Sequence, residues 1–170
     1  MQLIKITKQD FLWSFMAYGL SIGSNILILP FILFYLPSDE VGLWFTFLSI
    51  AMLANLVDFG ISPSILRNTS YIWSGAKELK KEGISDVIEK GEPNLILLNQ
   101  VINASKLIYL LLSLIALTVI ASIGTLYIYE ITNNSSIKNI EYTWFIFCAG
   151  IFLNIAFNFW TPLLKGIGQI

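Results

Sequence analysis

The sequence predicts an all-α integral membrane protein with four transmembrane helices and both ends of the chain in the cytoplasm. Three observations carry that reading. Of the 170 residues, 56% are hydrophobic and only 12% charged, about half the charge of an average soluble domain. Mean hydropathy is +0.74. The charges are also clustered, which leaves long uncharged runs at Phe11–Ser38, Val41–Val57, Leu107–Tyr129 and Tyr142–Leu164. Such a composition excludes a soluble domain, a disordered tail and a collagen-like fibre.

About 20 apolar residues in a helix cross the ~30 Å hydrocarbon core. The spans are therefore expected near 11–36, 41–63, 107–129 and 142–164, the second running through Asp58. Residues 1–170 read as a single transmembrane region. The apolar runs are continuous rather than alternating, and longer than the strands of a membrane barrel. Lipid offers the backbone no hydrogen-bond partner, so such runs must be helical. The first is too long for a removable signal peptide and serves as an anchor.

Within the first span, Gly19 and Gly23 form a G-x-x-x-G pair that permits a close helix contact, and Pro30 should bend the helix. Orientation follows from Lys and Arg. Lys5 and Lys8 precede the first span, and Arg67, Lys77, Lys80, Lys81, Lys90 and Lys106 lie in the connection 64–106. The outer turn holds Lys138, and Lys165 follows the fourth span. The positive-inside rule places the N-terminus, the long connection and the last residues in the cytoplasm. Within the connection, Ala76–Glu89 alternates Lys and Glu at helical spacing and is expected to be a surface helix, broken by Gly91 and Pro93. From Asn94, an apolar stripe of Leu95, Leu98 and Ile102 predicts an amphipathic helix that continues into the third span. Trp13, Trp44, Trp144 and Trp160 fall near the predicted interfaces and read as an aromatic belt.

Other counts restrict the chemistry. There is no His and a single Cys148, so the chain has no imidazole base, no Ser–His triad, no internal disulfide and no expected metal site. A net charge of −1 gives no basic field for nucleic acid. The outward turns offer only Asp39, Glu40, Glu130, Lys138 and Glu141, a poor set for an enzyme, and no cofactor is expected.

Polar groups inside a bilayer ask for a reason. Asp58 is the only charge within a predicted span. It either faces a hydrated cavity, or pairs with Arg67 or a backbone amide and fixes how the helix ends at Gly60 and Pro63. Asn25, Asn55, Asn154 and Asn158 either bond between helices or line a pathway. The third span carries only Ser and Thr hydroxyls among such groups and reads as a packing or lipid-facing helix.

The opening Phe11-Leu12-Trp13-Ser14 leads into a Gly-Ser-Asn first helix ending near Pro30. The second span contains Gly42-Leu43-Trp44, Asp58-Phe59-Gly60 and Arg67, and the chain ends in Leu163–Ile170, "LLKGIGQI". These stretches resemble bacterial polysaccharide repeat-unit flippases, the Wzx-type O-antigen translocases of the multidrug/oligosaccharidyl-lipid/polysaccharide exporter superfamily. The resemblance covers most of the chain and is weakest in the connection.

It implies translocation of undecaprenyl-diphosphate-linked oligosaccharide across the bacterial cytoplasmic (inner) membrane by alternating access, with possible partners in the polysaccharide polymerase machinery and possible coupling to an H+ or Na+ gradient. It also implies a 12- to 14-span protein, of which these four helices are an incomplete first half. Asp58 and Arg67 are then expected at an inner gate, with Asn25, Asn55, Asn154 and Asn158 as candidates to line the cavity. The alternatives are a drug/cation antiporter of the same superfamily and a small membrane scaffold subunit of polysaccharide assembly.

Overall fold

A computed structural model describes residues 8–79, 92–133 and 139–168, and among them it contains helices and no strand. Four helical stretches are long and apolar enough to cross a membrane: Phe11–Tyr35, Ser38–Asp58, Leu95–Thr132 and Ile140–Gly166.

Helix α1 (Lys8–Tyr35) runs through Pro30 without interruption. Leu36 and Pro37 then turn the chain into α2 (Ser38–Asn55). Pro37 suits this place because it needs no amide partner before a helix, and Asp39 and Glu40 in the first turn of α2 complement the positive end of its dipole. Nearly all α1 side chains are exposed. Space is open where a Cβ on Gly19 or Gly23 would stand, so the close contact this pair permits is not made among the described residues.

The second span ends earlier than the sequence predicts. After α2 a 3₁₀ turn covers Leu56–Asp58, and Phe59 (φ 40°) and Gly60 (φ 80°) both adopt left-handed backbone. Residues 61–63 therefore belong to a separate helix, α3 (Ile61–Trp73). This helix occupies part of what the sequence marks as connection. Beyond it, residues 76–79 are not helical, and the rest of the surface helix expected over Ala76–Glu89 lies outside the described residues.

Helix α4 (Leu95–Val119) is capped by Asn94, whose Oδ1 accepts from the Leu97 amide at 3.1 Å. The Asn94 amide donates to the Ile72 carbonyl at 3.3 Å, which ties the start of α4 to the end of α3. A π-helical segment (Ile120–Gly124) and α5 (Thr125–Thr132) continue α4 into one rod. Its 38 residues extend about 57 Å, against ~30 Å of hydrocarbon. The polar N-terminal turns with Asn99, Gln100 and Asn103 thus run on beyond an apolar length sufficient to span, and α4 is continuous from Leu95 into that length, as the sequence predicts.

Helix α6 (Ile140–Phe157) is followed by a break at Asn158–Phe159 and then α7 (Trp160–Gly166). Pro162 explains the break. It has no N–H to offer the Asn158 carbonyl, and in a continuous helix its ring would strike that carbonyl.

The core lies between α4 and α6. Trp144, Cys148, Ile151, Ile155 and Phe159 form one buried stripe on α6 and its extension, facing Ser105, Tyr109, Ser113, Ala116 and Ile120 of the third rod. Small residues on α4 let the two helices approach closely. The buried Ser113 hydroxyl is satisfied within its own helix by the Leu110 carbonyl at 2.8 Å. Trp144 belongs to this core and not to an aromatic belt: it stacks with Phe147, meets Phe47 at a tilt, and its Nε1 donates to Thr125 Oγ1 at 2.9 Å. The short helices α3 and α7 pack on each other, and α3 packs on α4.

Candidate functional site

The strongest polar constellation surrounds the elbow between the second span and α3. Asp58 Oδ1 accepts from the Ser62 amide at 3.2 Å and from the Tyr109 hydroxyl at 2.9 Å. The first bond satisfies one of the orphan donors at the start of α3, where the helix dipole also favours a carboxylate. The second crosses to α4. Ser62 Oγ and the Tyr109 hydroxyl lie 2.7 Å apart. A phenol has one hydrogen, and Tyr109 gives it to Asp58, so the Ser62 hydroxyl donates to Tyr109. The chain of bonds runs from Ser62 through Tyr109 to Asp58. Tyr109 is 1% exposed, and burial strengthens such a network because water does not compete for its members.

Arg67 stands elsewhere. It is exposed on α3 and, among the described residues, makes no ion pair. Of the two partners the sequence allows Asp58, Arg67 or a backbone amide, the structure has the Ser62 amide, with the Tyr109 hydroxyl added to it. Geometry explains it: Asp58 precedes α3, while Arg67 is carried about 9 Å along its axis from Ile61.

Asn55, Asn154 and Asn158, the three candidate asparagines whose side chains the structure describes, do not converge. Asn25 lies in α1, and its side chain is outside the described part of the structure. Asn55 is exposed and donates to the Ala51 carbonyl of its own helix at 3.0 Å. Asn154 is exposed on α6. Asn158 accepts from the Thr161 hydroxyl at 3.3 Å, across the α6–α7 break.

A cavity of about 580 Å³ opens between α2 and the C-terminal part of the third rod, with Phe45, Ile50, Ala54, Ile115, Ile120 and Tyr127 among its walls. Asn55, Asn154 and Asn158 are not among its lining residues. Its hydroxyls from Thr46 and Ser49 are turned back onto the Gly42 and Phe45 carbonyls, which leaves an apolar lining. Among the described residues, no three His, Cys, Asp or Glu side chains come together as metal ligands would.

No protein-family model, curated protein or solved structure matches the chain.

Two participants were not singled out from the sequence. Tyr109 sits among apolar neighbours in the third run, where a tyrosine counts as one more large side chain; a hydroxyl able to satisfy Asp58 was the available signal. Ser62 lies just past Gly60, at the helix-start position where a carboxylate three or four residues earlier can cap. The arrangement holds the end of the second apolar stretch, the start of α3 and the middle of α4 in one register.

Proposed function

We propose that this chain belongs to the machinery that moves lipid-linked oligosaccharide across the bacterial cytoplasmic membrane, with its N-terminus and long connection facing the cytoplasm. One observation carries the proposal. The stretch that resembles repeat-unit flippases, from Gly42-Leu43-Trp44 through Asp58-Phe59-Gly60 to Arg67, coincides with one local device: an apolar span, a left-handed elbow and a short polar helix. In this reading the four long apolar helices contribute to one of two bundles that rock about a central pathway. The elbow at Asp58 lies at the inner end of that pathway, and the exposed Arg67 guanidinium is available to the diphosphate of an arriving substrate.

The test is deletion of the gene in its own bacterium. Loss of surface polysaccharide, with lipid-linked repeat units accumulating on the inner leaflet, supports the proposal. Restoration requires the re-expressed protein. Unchanged surface polymer together with new drug sensitivity favours the antiporter reading.

A further inference from the structure

Two interruptions in the membrane helices share a property. The second span breaks at Phe59-Gly60 and the fourth at Asn158-Phe159, and the short helices that follow, α3 and α7, pack on each other. Their contact leaves no slack. A Cβ on Gly166 would stand 2.6 Å from Thr69 Cβ and 2.9 Å from the Leu66 carbonyl oxygen. Ser70 Oγ also donates to the Gly166 carbonyl at 3.1 Å. α3 and α7 therefore form one rigid pair, joined to the second and fourth helices at the two breaks and packed on α4 along α3.

The elbow itself is free of packing. Phe59 is 89% exposed, and nothing lies within 4 Å of where a Cβ on Gly60 would stand. Phe59 is also a non-glycine residue held at φ 40°, a conformation that is costly for an L-residue and persists only where the surroundings impose it. Near the elbow, the side-chain bonds that hold the pair to α4 pass through Tyr109, which meets both Asp58, before the elbow, and Ser62, after it.

We propose that Asp58, Tyr109 and Ser62 form a latch, and that its release lets α3 and α7 swing together on the Phe59-Gly60 elbow relative to α4. The far end of α3 stays tethered by the Asn94–Ile72 bond, so the motion is a pivot rather than a detachment. The latch is a property of helix packing and does not depend on what the protein transports.

The experiment measures distances between paired spin labels on the whole protein in lipid nanodiscs, in a Cys148→Ala background. Labels at Arg67→Cys on α3 and Gln100→Cys on α4 report the pivot. Labels at Arg67→Cys and Leu164→Cys report the rigidity of the α3–α7 pair. With the latch intact the first pair gives one narrow distribution. Tyr109→Phe, which keeps the ring and removes only the hydroxyl, adds a second, longer-distance population, while the α3–α7 distance stays fixed. Asp58→Asn, whose amide oxygen still accepts from Tyr109, gives a smaller second population. An α3–α4 distribution in Tyr109→Phe identical to the parent overturns the latch. A change in the α3–α7 distance in the same variant overturns it as well, because it shows local unfolding in place of a pivot.

Discussion

Tyr109 gives its phenolic hydrogen to Asp58 Oδ1 over 2.9 Å, joining the middle of the third membrane helix to the end of the second. The only charge within a predicted span is thereby answered by a neutral hydroxyl from a neighbouring helix and by a backbone amide. A cation is not required, since a carboxylate with two such donors is already partly solvated by the protein.

This pairing is expected to appear as an energetic coupling. In a double-mutant cycle between Tyr109→Phe and Asp58→Ala, each of which removes the bond, followed by reversible unfolding in bicelles, the interaction should be about 1 kcal/mol, in the upper part of the range for hydrogen bonds between membrane helices. Asp58→Asn and Arg67→Ala should instead add to within about 0.5 kcal/mol, as independent sites do. Coupling between Asp58 and Arg67 but not between Asp58 and Tyr109 would contradict the network.

Three glycines should respond differently to alanine. Gly166→Ala places a methyl against Thr69 Cβ and a backbone carbonyl, neither of which can rotate away, and should cost about 1–3 kcal/mol by overpacking. Gly60→Ala meets no atom but must keep φ near 80°, which costs about 1–2 kcal/mol. Gly23→Ala faces open space and should leave the stability of the isolated chain unchanged or slightly improved. The order of the three melting temperatures in detergent checks this.

Trp144→Phe and Thr125→Val each remove the same 2.9 Å hydrogen bond. Each should destabilise by about 1 kcal/mol. Combined, they should cost clearly less than the sum, because the bond can be lost only once.

Orientation is tested by labelling from one side of the membrane. A cysteine introduced by Lys77→Cys should react with an impermeant maleimide only in inverted vesicles. One introduced by Asn133→Cys, at the opposite end of the third rod, should react only in intact cells whose outer barrier has been opened. The reverse pattern would overturn the arrangement inferred from Lys and Arg placement.

The long apolar helices were legible because lipid solubility depends on local composition: uncharged runs mark the first and fourth stretches to within a few residues, while the third begins at Leu95, twelve residues before the expected start, because the polar turns from Asn94 belong to the same continuous helix. Less legible was whatever depends on partners distant in the chain. α3 carries Ser62, Ser64, Arg67, Asn68, Thr69 and Ser70, too polar to register as a span, and it gains its place by packing on α7 and α4. Trp144 sits near a predicted span end like the other tryptophans, yet only the third rod decides that it turns inward. Asp58 invited pairing with Arg67 because that cation is near in sequence, whereas its actual partner Tyr109 is 51 residues away. Among the asparagines, Asn55 and Asn158 bond within or beside their own helices, a choice that hydropathy does not encode.

The π-helical stretch Ile120–Gly124 carries a further consequence for how the third rod is numbered. It accommodates one more residue than the regular helix on either side, so counting at about 100° per residue from Leu95 misplaces the faces beyond it. Deleting a single residue there would let an uninterrupted α-helix form and would leave the residues beyond on nearly the same faces, because the wider turn and its extra residue disappear together. Ile128 would stay in the interior, and Thr125 would still face the Trp144 indole. The same deletion in the regular helix on either side would instead rotate everything beyond it by about 100°.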